Sequence, residues 1–141
     1  VVPAQAEARR DVRLLPDQSP DTFLRQLQSV IDDPAVTVLP ATVAPPQATS
    51  PVNTPFYRAL AHTLHRREPA GLITPYLTPG ATDSRFFRAA GMKAYGFMPM
   101  LLNSHELGRI HSIDERVSIE NLLWGLQVVF ETLVELDGMV K

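Results

Sequence analysis

Residues 44–55 read A-P-P-Q-A-T-S-P-V-N-T-P. Four prolines in twelve positions forbid a helix interior and a central strand alike, because proline lacks the N–H that either ladder needs. The stretch reads as a linker, and the chain as two units on either side of it.

Before the linker, residues 2–14 alternate. Ala4, Ala6, Ala8, Val12 and Leu14 fall on one side, Gln5, Glu7, Arg9, Asp11 and Arg13 on the other. Period two is the signature of a half-buried strand. Arg10 interrupts the apolar side, as at an edge, and Pro16 ends the pattern. Ser19-Pro20-Asp21-Thr22 then opens a helix: a cap, a proline suited to the first turn, and an acid at the positive dipole end. Phe23, Leu24, Leu27, Val30 and Ile31 keep helical spacing until Asp32-Asp33-Pro34. Val36, Val38 and Val43 mark a second strand, broken at Pro40.

After the linker, Thr54-Pro55 starts a helix with Phe56, Leu60, Ala61 and Leu64 on its apolar stripe. Leu72, Ile73, Tyr76 and Leu77 suggest a short strand cut by Pro75, and residues 94–97 another. Thr82 or Asp83 caps a short helix through Phe86 and Phe87, ended by Gly91. Ser118 caps a long last helix, whose stripe of Ile119, Leu122, Leu123, Leu126, Val129, Phe130 and Leu133 closes at Gly138. Strands alternating with helices predict an α/β architecture.

Composition excludes several functions. With 45% apolar and 20% charged residues, the 141-residue chain is globular in character. A net charge of −2 argues against a nucleic-acid partner, since phosphate neutralisation needs a Lys/Arg excess. No apolar run approaches the ~18 residues of a membrane span. Without cysteine there is no disulfide, zinc ribbon or thiol nucleophile.

Three places could carry chemistry. Gly80-Ala81-Thr82-Asp83-Ser84-Arg85 puts small residues and a cap at a helix start, where free backbone N–H groups suit a carboxylate or phosphate; the plainer reading is a capped turn. Ser84 lacks the G-x-S-x-G setting of a nucleophile. His111, with Asp114 and Glu115 close in sequence, could be a metal ligand, a general base or a hydrogen-bonded surface residue. Arg13 on the polar face of its strand could hold a carboxylate with both guanidinium arms, or pair across strands. His62 and His65 lie three apart on one helix with no carboxylate in register, and His105-Glu106 lacks the second histidine of H-E-x-x-H.

Taken in order, V-V-P-A-Q-A-E-A-R-R-D-V-R at 1–13, P-Y-L-T-P-G-A-T-D-S-R at 75–85, A-Y-G-F at 94–97 and H-S-I-D-E-R-V-S-I-E-N-L at 111–122 resemble a known family. It is the dinuclear zinc peptidase family of glutamate carboxypeptidase, aminoacylase, carnosinase, acetylornithine deacetylase and succinyl-diaminopimelate desuccinylase. The resemblance implies part of a catalytic domain with a parallel-rich mixed sheet, plus the strand-helix-strand half of an inserted α+β lid. Residues 1–45 would be the second half of that lid and dimerisation domain, 46–55 a proline-rich hinge, and 56–141 the C-terminal part of the catalytic domain.

The resemblance further implies that His111 is a metal ligand, that Arg13 grips the substrate carboxylate, and that Gly80, Ala81 and Thr82 line the substrate site, with Asp83 and Arg85 in support. Ser112 and Asp114 stand where the family's H-G-x-N-E pattern has Gly and Asn. The family's H-x-D motif, bridging Asp, Glu-Glu pair with the general base, and further acid are not in this sequence. No catalytic residue is therefore expected in the chain, which reads as an inactive fragment of a homo-oligomeric hydrolase. The parent would use two zinc ions, with cobalt or manganese as alternatives, to cleave an amide beside a free carboxylate in a dipeptide or N-acyl amino acid. The rival reading is a non-catalytic α/β interaction or dimerisation module that uses the strand at 2–14 as a pairing edge.

Overall fold

The computed structural model describes residues 3–16, 18–40, 49–78 and 80–141. Among them the regular elements are α1 (Pro20–Ile31), α2 (Pro55–Arg67), α3 (Ser84–Ala89), α4 (Ser104–Leu107) and α5 (Ile119–Val140). The chain divides into two units, one drawn from residues 1–49 and 78–94, the other from 50–77 and 95–141.

The expected α/β architecture, with its parallel-rich mixed sheet and its strand-helix-strand half-lid, is overturned: no strand occurs among the described residues. The alternation at residues 3–14 and the apolar runs at 36–40, 72–77 and 94–97 all lack a ladder; Val43 lies outside the described residues. Alternation records which side chains want burial, whereas a strand exists only when a neighbour takes its N–H and C=O groups. Here side-chain amides take part of that role. Gln28 of α1 donates through Nε2 to the Val36 carbonyl at 2.8 Å and accepts from the Val38 N–H at 2.9 Å. Asn121 of α5 brackets Leu101 in the same way, with both bonds 2.8 Å.

The helices follow the sequence signals closely. α1 starts after Ser19 with Pro20 in its first turn and ends at Asp32, whose φ of 48° turns the chain out of the helix. It buries none of its residues. Thr54 caps α2 by accepting from the Tyr57 N–H at 3.2 Å, and Ser118 caps α5 by accepting from the Asn121 N–H at 3.1 Å. α5 continues through Gly138 to Val140 instead of stopping there. α4 was not foreseen, although its N-x-x-E signature at Asn103 and Glu106 forms a reciprocal capping box.

The core of the second unit is the contact of α2 with α5. Ala59, Leu60 and Thr63 are the buried residues of α2, and Gly125, Val128 and Thr132 those of α5, with Gly125 lying against Pro99. The Thr132 hydroxyl is satisfied by the Val128 carbonyl at 2.7 Å. Tyr95 stacks on Phe56 at 5.8 Å and donates to the Pro51 carbonyl at 2.6 Å, fastening the segment after residue 94 to the start of α2.

Ion pairs border this contact. Arg67 reaches Glu131 with Nε at 2.9 Å and Nη2 at 2.5 Å, and Gln127 with Nη1 at 3.1 Å. Hydrogen bonding to Arg67 holds the Glu131 carboxyl below the ordinary range, and hydrogen bonds to His62 and then Arg66 do the same for Glu135. As acid is added, the unfolded chain therefore binds these protons first. The pairs contribute fully above the unfolded glutamate value of about 4.3 and lose their contribution as pH falls through the lower folded values. Urea midpoints across pH should drop on the acid side of that range, and the drop should shrink in a Glu131→Gln, Glu135→Gln variant.

Candidate functional site

His111 follows α4 in a tight turn. The Arg109 carbonyl accepts from the Ser112 N–H at 2.9 Å and from the Ser112 hydroxyl at 2.6 Å. Ser112 Oγ also lies 3.0 Å from Asp114 Oδ1, and Arg109 Nε lies 3.5 Å from Asp114 Oδ2. Ser112 and Asp114 are the two departures from the family pattern, and here they bond to each other. His111 itself has φ 67°, the left-handed region where a Cβ crowds the backbone. Its N–H donates to Glu115 Oε2 at 3.1 Å. The residue is exposed, so the turn presents an imidazole to solvent.

The turn at 80–85 leads into α3 (Ser84–Ala89). The Gly80 N–H donates to the Thr78 hydroxyl at 3.2 Å. Asp83 stands at the N-cap of α3 without a side-chain capping bond. The Arg85 guanidinium lies 4.6 Å over the Phe86 ring, and its buried Nε has no hydrogen-bond partner. Arg13 donates from Nη2 to Asp11 Oδ2 at 2.7 Å, an exposed local pair. Among the described residues no hydrogen bond or ion pair joins Arg13 to residues 80–85. Arg13 and the 80–85 turn belong to one unit, and His111 to the other.

One cluster escaped the sequence reading. His62 has its carboxylate after all, supplied from α5: His62 Nδ1 lies 2.6 Å from Glu135 Oε1, and Arg66 donates to Glu135 Oε2 at 2.7 Å. Spacing along α2 cannot reveal a partner that arrives from 73 residues away. Among the described residues no group of three or more His, Asp or Glu is placed to hold a metal ion. A catalytic zinc uses three ligands from the protein.

Residues 19–135 match the model of peptidase family M20/M25/M40. The chain belongs to this family. It is 27% identical over 122 residues to a probable carboxypeptidase S-like 2 of Dictyostelium discoideum, covering 86% of this chain and 24% of that protein. It is 27% identical over 140 residues to the human N-fatty-acyl-amino acid synthase/hydrolase PM20D1, covering 97% and 28%. It is 34% identical over 120 residues to aminoacylase-1A of Rattus norvegicus, covering 79% and 29%. The chain thus spans about a quarter of the length of these M20/M25/M40 relatives. No solved structure matches it. The family match holds the 80–85 turn and His111, while Arg13 lies before its first residue.

Proposed function

We propose that this chain carries one part of the site of a metal-dependent hydrolase that cleaves an amide bond next to a free carboxylate, in an N-acyl amino acid or a dipeptide. The observation that carries the reading is the family match over residues 19–135, which contains an exposed His111. The names of the relatives support the substrate class, since two of them name acyl-amino-acid chemistry and one a carboxypeptidase.

In this reading His111 supplies one ligand to a metal, zinc by resemblance, when the remaining ligands are present. Arg13 holds the substrate carboxylate through two parallel N–H donors, which a lysine could not reproduce. Gly80, Ala81 and Thr82 border the substrate, and Asp83 and Arg85 support that turn. The general base and the other ligands come from polypeptide not in this sequence, so the 141-residue chain alone is inactive.

Calorimetric titration of the chain with zinc tests the incompleteness. The expected result is no tight stoichiometric site; sub-micromolar binding would show that these residues form a centre unaided. The coding sequence flanking this segment tests the assignment itself: it should hold an H-x-D motif and a Glu-Glu pair. Their absence from a chain that is nonetheless stable and associates with others would favour the interaction-module reading.

A further inference from the structure

Residues 102–117, which carry α4 and His111, get little help from packing. Among the described residues α4 packs on no other helix, and every residue from 111 to 120 is exposed. The hydrogen bonds and ion pairs of the segment are local, as those of His111 with Glu115 and Arg109 with Asp114 are. Such bonds shape a loop from within but do not place it on the rest of its unit.

One side chain joins the two ends. Asn121, in the first turn of α5, accepts from the Leu101 N–H through Oδ1 and donates to the Leu101 carbonyl through Nδ2. Both bonds are 2.8 Å and span 20 positions in the chain. A primary amide holds a donor and an acceptor, so it engages both polar groups of one residue as a neighbouring strand would. Asn121 is half-buried, and Gly125, one turn along the same face of α5, lies against Pro99. Segment 99–101 is therefore seated on α5 twice, by the side chain that Gly125 lacks and by the amide of Asn121. His111 stands ten residues from each partner of this clasp.

We propose that Asn121 is the positioning residue of the loop: its amide clasps Leu101 to the start of α5 and so fixes where His111 stands relative to that helix. The consequence for the reaction rests on the assignment of His111 to the site, whereas the clasp itself does not.

The chain supplies its own distance probe, with one tryptophan, Trp124 on α5, and no cysteine. Ile113→Cys, at a fully exposed loop residue, takes a thiol-reactive dansyl acceptor without loss of packing. Time-resolved energy transfer from Trp124 should then give one narrow distance distribution. Adding Asn121→Leu, which removes both bonds, should roughly double its width, because the loop ends are then joined only through the chain. Helical circular dichroism should not change. Asn121→Asp keeps the acceptor and loses the donor, and should broaden the distribution less; should Asn121→Leu unfold, Asn121→Asp decides alone. An unchanged width overturns the proposal. So does loss of the helical signal in both variants, which would make Asn121 a folding residue.

In an active polypeptide of the family containing this segment, Asn121→Asp should lower kcat/KM and zinc affinity, the latter read by competition with a chromophoric chelator, by roughly 10- to 100-fold each. In a His111→Ala background the same substitution should weaken zinc binding no further. Full additivity of the two substitutions overturns the action of Asn121 through His111. If His111→Ala by itself changes neither quantity, the site reading fails and takes the catalytic half of the proposal with it, while the distance measurement still decides the clasp.

Discussion

Gly125→Ala is expected to destabilise the second unit, although glycine inside a helix ordinarily invites the opposite. On propensity alone, alanine in the middle of α5 should gain about 0.5–1 kcal/mol. A Cβ at Gly125, however, would overlap the Pro99 carbonyl oxygen and lie 3.2 Å from the Pro99 carbonyl carbon. Both atoms are backbone, so no rotamer change can relieve the clash. Either α5 or the segment around Pro99 must shift, and the Asn121 bonds to Leu101 lie in the same contact. Overpacking of this kind typically costs about 1–3 kcal/mol, enough to reverse the sign. Gly138→Ala is the control: it lies in the same helix with nothing near its missing side chain, and should be neutral or stabilising by up to about 1 kcal/mol. Urea unfolding of both variants measures the contrast. A stabilised Gly125→Ala would mean that α5 and Pro99 do not meet.

His111→Gly should separate stability from function. The residue sits at φ 67°, where an L side chain costs roughly 1–2 kcal/mol and glycine nothing, while glycine's added unfolded-state freedom takes back about 0.4–1 kcal/mol. The Glu115 contact uses the backbone N–H of residue 111, which the substitution keeps. The 141-residue chain should therefore be equally stable or gain up to about 1.5 kcal/mol in urea. In an active polypeptide of the family containing this segment, the same change should lower kcat/KM on the order of 100-fold or more, since loss of even an outer-shell partner costs 10–100-fold. A loss of stability with activity retained would make His111 a structural residue and remove it from the site.

What could be read from the residues in order was the helices. Thr54-Pro55 and Ser118 mark helix starts because capping is local, donor and acceptor lying within one turn of each other, whereas Ser19 makes no side-chain capping bond and the start of α1 is marked by Pro20 in its first turn. Asp32 and Gly91 end or follow helices for an equally local reason, a positive φ. The family was legible too, from four short motifs in order, although the site itself was not. Whether His111, the 80–85 turn and Arg13 converge depends on chain that the motifs do not contain.

Tertiary structure decided the rest. The alternation at 2–14 and the apolar runs at 36–40 and 94–97 predict strands, yet among the described residues these segments form none, because a ladder needs a partner that no single segment encodes. In its place Gln28 and Asn121 bond backbone eight to twenty residues away. The carboxylate beside His62 and the close approach of Pro99 to Gly125 are likewise properties of contact. A sequence states what each residue can do with its nearest neighbours along the chain. Which distant residue arrives to complete a hydrogen bond, or fails to cover a leucine, is settled only when the helices pack.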